Sequence, residues 1–195
     1  MLRSIQWAAL GTGFTFLMTT LGAAMVFFFA GEPRPHFQKT LLGFAAGVMT
    51  AASVWSLLLP AIERAEAGIL PVWLAPAAGL VLGAVGLLRL EEAAGRLMHT
   101  GSKEHGRMGR VVLAVTLHNL PEGMVVGLAA ALALRGEPEA VSGALALALG
   151  IGLQNIPEGA AVSLPLVQAG QGRRKAFCAG AASGLVEPLG ALLAL

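Results

Sequence analysis

Six long apolar runs, separated by shorter polar stretches, organise this chain. They lie near residues 5–29, 40–62, 70–90, 110–134, 141–168 and 176–195. Each reaches the roughly 20 residues that an α-helix needs to cross the hydrocarbon of a bilayer. The pattern predicts an all-α, polytopic transmembrane helix bundle forming one domain over residues 1–195. The first run has Arg3 at its head, as a signal peptide would. Its apolar stretch of about 25 residues exceeds the roughly 7–15 of a signal core, so it is read as a retained span.

Composition agrees with the pattern. The chain is 56% hydrophobic and 12% charged, with a mean hydropathy of +0.74, which excludes an ordinary soluble domain. Asp and Tyr are absent, so every acidic residue is Glu. A single cysteine, Cys178, rules out an internal disulfide framework and a thiolate-rich metal cluster. The net charge of +2 is modest. Its basic residues sit in loops and at span ends, where they speak to membrane orientation rather than to nucleic acid.

Charge asymmetry across the spans gives that orientation. Arg3, Arg64 and Arg135 fall on one side, three in all. Arg34, Lys39, Arg89, Arg96, Lys103, Arg107, Arg110, Arg173, Arg174 and Lys175 fall on the other, ten in all. Basic residues concentrate on the cytoplasmic side. The expectation is a multi-pass protein of the cell (inner) membrane, with the N-terminus outside and residues 91–109 in a cytoplasmic loop. That loop, partly helical, carries His99 and His105. These two and His36 read as solvated loop histidines rather than ligands.

Small residues are spread through the spans. Gly43 and Gly47 stand four apart, as do Gly79 and Gly83. Such pairs let helix backbones approach closely in lipid, so they predict contacts within the subunit or across a homodimer.

Polar residues inside the spans carry the chemistry. The phrases Leu117-His118-Asn119-Leu120-Pro121-Glu122-Gly123 and Leu153-Gln154-Asn155-Ile156-Pro157-Glu158-Gly159 are near-copies. In each, a nitrogen-bearing side chain precedes a carboxylate by four residues, so both point to one face of a helix. Glu187 is a third carboxylate at membrane depth. An acid at a helix centre costs about 2.5–3.5 kcal/mol. Three left uncompensated would cost on the order of 8–10 kcal/mol, as much as a typical domain's whole stability.

No Lys or Arg lies in a span interior to neutralise them, and His118 is the one potential cation at that depth. The neutraliser must then enter from outside, as a proton or a metal cation. Imidazole with carboxylate and amide oxygens suits zinc and neighbours such as iron(II), manganese or cobalt. Pro121 and Pro157 each remove a backbone hydrogen bond. Broken turns of this kind build ion sites in many transporters, so discontinuities are expected at both prolines.

These motifs resemble the ZIP family of divalent-metal transporters, near its bacterial branch. The resemblance rests on His118-Asn119-Leu120-Pro121-Glu122-Gly123 and Gln154-Asn155-Ile156-Pro157-Glu158-Gly159, in the fourth and fifth spans. Ser183-Gly184-Leu185-Val186-Glu187-Pro188 in the sixth is similar to the family's next acidic segment, and Gly43 to Ser56 to its second span. The resemblance implies import of divalent ions, zinc first and Fe2+, Mn2+, Co2+ or Cd2+ as alternatives, into the cytoplasm. It implies a binuclear site. His118, Glu122, Gln154 and Glu158 would hold one ion with Met49 as a thioether neighbour. Asn119, Asn155 and Glu187 would hold a second, with Glu122 and Glu158 bridging. Gln154 stands where many members have a second histidine, and Asn155 where some bacterial members have Asp. The family has eight spans, so six here read as a chain truncated after the sixth. An elevator-like movement against a dimeric scaffold is also implied.

Other classes fit less well. His118-Asn119-Leu120-Pro121-Glu122 superficially resembles a zinc-protease helix, but Asn119 occupies the general-base position, so no enzyme is expected. A proton- or sodium-linked carrier using the same carboxylates is the main rival. A purely structural membrane protein is the third.

Overall fold

The structure, a computed structural model, describes residues 2–29, 35–97, 103–134 and 138–195. Its α-helices are α1 (Leu2–Ala23), α2 (Pro35–Ala51), α3 (Leu59–Ala65), α4 (Leu74–Leu97), α5 (Lys103–Ala133), α6 (Pro138–Gln168), α7 (Arg173–Ser183) and α8 (Val186–Leu193). No strand occurs among the described residues. A 3-10 turn, Ala24–Phe27, extends α1, and a π-helical segment, Ala52–Leu58, joins α2 to α3. Among the described residues six stretches are long and apolar enough to cross a membrane: Leu2–Phe27, His36–Ala65, Leu74–Ala93, Gly109–Ala133, Ala140–Gln168 and Arg173–Leu193.

The linker over 91–109, expected to be partly helical, is helical at both ends, since α4 runs to Leu97 and α5 begins at Lys103. Glu92 pairs with Arg89 at 3.5 Å and with Arg96 at 2.7 Å on one exposed face of α4. Pairs at this spacing support an exposed helix past its apolar part. His99 lies outside the described residues, and His105 falls within α5.

The expected discontinuities at Pro121 and Pro157 do not form: α5 and α6 run unbroken through both, and α6 through Pro165 as well. In a bilayer an interrupted helix exposes several backbone groups to hydrocarbon, whereas one proline frees a single carbonyl. The break falls in the sixth span, between α7 and α8. Pro188 has no N–H for the Gly184 carbonyl, and the Glu187 N–H serves that carbonyl instead, at 3.1 Å. This leaves the Ser183 carbonyl, which the Asn119 amide of α5 caps at 3.0 Å.

Close packing is concentrated in α1, α5, α6, α7 and α8. A Cβ built on Gly159 of α6 would stand 2.0 Å from the Thr19 carbonyl oxygen of α1. One on Gly123 of α5 would stand 2.0 Å from the Glu187 carbonyl oxygen of α8. Backbones approach this closely only where glycine stands. The pairs singled out from spacing behave otherwise: nothing lies within 4 Å of a Cβ at Gly43, Gly47, Gly79 or Gly83. They make no close contact within the subunit. Their helices present mostly outward faces, and none of the apolar window of α4 is buried.

Candidate metal centre

The polar residues at membrane depth converge from α1, α5, α6 and the α7–α8 break. Asn119, Asn155 and Glu187 are fully buried, Gln154 nearly so, and Glu122 and Glu158 are each 9% exposed. His118 is half-buried. Helical spacing puts His118 and Glu122 on one face of α5, and Gln154 and Glu158 on one face of α6. Packing of α5 against α6 brings the two faces together.

His118, Glu122 and Glu158 each offer one ligand atom such that all three lie within 4.8 Å of one another. Ligand atoms bound at about 2.0–2.2 Å to one zinc stand roughly 3–4 Å apart, so a small closure brings this trio to coordinating distance. His118 Nε2 lies 3.7 Å from Glu122 Oε1. The Gln154 amide donates to the same Glu122 oxygen.

The other polar atoms there are conspicuous for having no donor. His118 Nε2, Glu122 Oε2, Gln154 Oε1 and both oxygens of Glu158 are buried without a hydrogen-bond partner. Buried carboxylate oxygens left in this state are costly. Unpartnered atoms that can each offer a lone pair, gathered on neighbouring helices, are what a cation needs. Met49 is half-buried on α2, one turn beyond buried Ala45 and three residues before Ala52, which packs against Val126, Leu147 and Ile151 of α5 and α6.

Glu187 is held differently. The Thr15 hydroxyl donates to its Oε2. Its Oε1 accepts from the Thr19 hydroxyl at 3.2 Å and the Asn155 amide at 3.0 Å. The Asn155 amide also reaches the Thr15 carbonyl, at 3.3 Å. Cation counting in the sequence overlooked these neutral donors. Thr12, Thr15 and Thr19 are all fully buried, and their spacing on one face of an otherwise apolar span was the available signal.

Taken together, the fold and the site define a polytopic helical membrane protein with a cluster of residues between its helices that could hold a cation. The family model described as ZIP Zinc transporter matches residues 110–195, the part that supplies every acid of the cluster. Zinc transporter GufA of Myxococcus xanthus is 38% identical over 184 residues, 89% of this chain and 69% of that protein. Zinc transporter ZIPB of Bordetella bronchiseptica is 38% identical over 136 residues, 64% of this chain and 43% of that protein. Zinc transporter ZIP11 of Homo sapiens is 56% identical over 62 residues, 32% of this chain and 18% of that protein. The chain thus spans less than half the length of the last two relatives. It belongs to the ZIP family, whose members are transporters rather than enzymes, and it is a multi-pass membrane protein.

Proposed function

We propose that this chain carries divalent zinc through the membrane into the cytoplasm, with the ion held by His118, Glu122, Gln154 and Glu158 and with Met49 beside them. One observation carries the reading: five buried polar atoms on these four residues, four of them carboxylate or amide oxygens, have no hydrogen-bond partner. The donor set, one imidazole with carboxylate and amide oxygens, favours zinc, with Fe2+, Mn2+, Co2+ and Cd2+ as chemically admissible substitutes. A carboxylate-rich, thiolate-free site suits an ion that must leave as well as arrive. Inward direction is supported by the family resemblance, and the ten-to-three distribution of basic residues about the spans supports the outside N-terminus that goes with it.

Uptake of radioactive zinc into proteoliposomes tests this. The wild-type chain is expected to load zinc down its gradient, and Glu158→Ala to abolish loading. Removing one charged partner from a buried ionic site costs about 3–5 kcal/mol, more than about a hundredfold in ion affinity. Proton flux that is independent of metal and survives without zinc would overturn the reading in favour of a proton-linked carrier.

A further inference from the structure

Three acids are buried among the described residues, and their oxygens are treated in two ways. Both oxygens of Glu158 and one of Glu122 have no donor. Both oxygens of Glu187 are engaged, by Thr15, Thr19 and Asn155. A carboxylate offers about four lone-pair positions, and three are taken here by neutral donors on α1 and α6. Glu187 also stands outside the group of ligand atoms that His118, Glu122 and Glu158 form. Three donors that compensate Glu187 are therefore built into the chain, whereas Glu122 has one, the Gln154 amide, and Glu158 has none.

We infer that Thr15 and Thr19 are positioning residues that clasp Glu187 in place of a cation, so that the centre holds one divalent ion per chain and not two. The inference rests on the proposed ion-carrying role of His118, Glu122, Gln154 and Glu158. The charges agree with it, because Glu122 and Glu158 together carry two negative charges when ionised and one divalent ion balances them. A second divalent ion beside the first would meet its repulsion with no uncommitted acid to offset it. Asn119 and Asn155 have unpartnered carbonyl oxygens, but these are neutral. Their amide groups are already committed, to the Ser183 carbonyl and to Glu187.

The test is zinc stoichiometry on the full chain in lipid nanodiscs, by equilibrium dialysis and elemental analysis. Wild type is expected to bind one zinc per chain, and Glu187→Gln to keep one, because a glutamine carbonyl still accepts from the threonines. Thr15→Val with Thr19→Val keeps side-chain volume and removes both hydroxyl donors. It is expected to acquire a second, weaker zinc, which the added change Glu187→Gln removes again. A merely structural role for the threonines would alter stability without altering the count. Two zinc ions on wild type, one of them lost in Glu187→Gln, would overturn the inference while leaving the carrier reading intact. A folded double-valine protein that stays at one zinc would overturn the threonines' role. Should that variant fail to fold, wild type and Glu187→Gln decide the matter. No zinc on wild type would overturn both the inference and the carrier reading.

Discussion

Replacing Gly159 with alanine adds one methyl group where the α6 backbone meets that of α1. The new Cβ would stand 2.0 Å from the Thr19 carbonyl oxygen, 2.8 Å from the Ala23 nitrogen and 2.9 Å from the Thr19 carbonyl carbon. All three are backbone atoms, so no rotamer change relieves the clash. Restoring an ordinary contact of about 3.4 Å to the oxygen requires the two helices to part by about 1.4 Å. Overpacking of this kind costs about 1–3 kcal/mol, equivalent to about 2–12 °C in melting temperature for a chain of this size. The displacement also acts on the site, because Glu158 is the preceding residue and moves with α6. Metal ligands tolerate only a few tenths of an ångström, so zinc affinity falls with stability. The assay is a thermal melt in nanodiscs with and without zinc, run beside Gly83→Ala. Nothing lies within 4 Å of a Cβ at Gly83, and alanine there is expected to be neutral or to stabilise the helix by up to about 1 kcal/mol. A Gly159→Ala protein with the wild-type melting temperature and zinc affinity refutes the close contact and the argument built on it.

Three further outcomes follow from the same geometry. Gln154→His adds a second imidazole and should raise the preference for zinc over manganese on the order of tenfold, about 1.4 kcal/mol. Competition dialysis reads this, and an unchanged ratio removes Gln154 from the ligand set. Asn119→Ala leaves the Ser183 carbonyl uncapped at the α7–α8 break and should cost about 1–3 kcal/mol, read as a lowered melting temperature in zinc-free protein. In a Cys178→Ser background, Ala67→Cys should react with a membrane-impermeant maleimide on intact cells, and Ala169→Cys only on inside-out vesicles. The reverse pattern inverts the topology.

Much of this architecture was legible in the hydrophobic pattern, and the reasons are specific. The six apolar runs exceed the length that any folded-core helix requires, so their number is visible without tertiary information. The acids, His118, Gln154 and the asparagines announce themselves because such groups are rare at membrane depth. The pattern could not reveal which backbone would break. Pro121 and Pro157 looked like interruptions, yet each frees one carbonyl and the helix continues. Pro188 interrupts the sixth span because the shift of the Glu187 N–H to Gly184 is made good at the Ser183 carbonyl by a side chain 64 residues before it, Asn119. Nor could spacing separate the glycines that touch a partner from those that do not. Gly79 and Gly83 have the same separation as Gly123 and Gly127, but only the latter pair meets another backbone.

Within the repeated phrase, proline, glutamate and glycine have separable consequences, and the glycine joins the three acids into one frame. Gly123 follows Glu122 and lies against the backbone carbonyl of Glu187. The Glu187 carboxylate accepts from Thr19. The Thr19 carbonyl in turn lies against Gly159, which follows Glu158. This chain of contacts passes from α5 through α8 and α1 to α6. Two of its three links are backbone against backbone, where no side-chain rotation gives slack. Glu122 and Glu158 are thereby fixed relative to each other through helices that contribute none of the three clustered ligand atoms. Substitutions at Gly123 or Gly159 therefore reach the candidate ion site without removing a candidate ligand, which separates this frame from a cluster held by its own side chains alone.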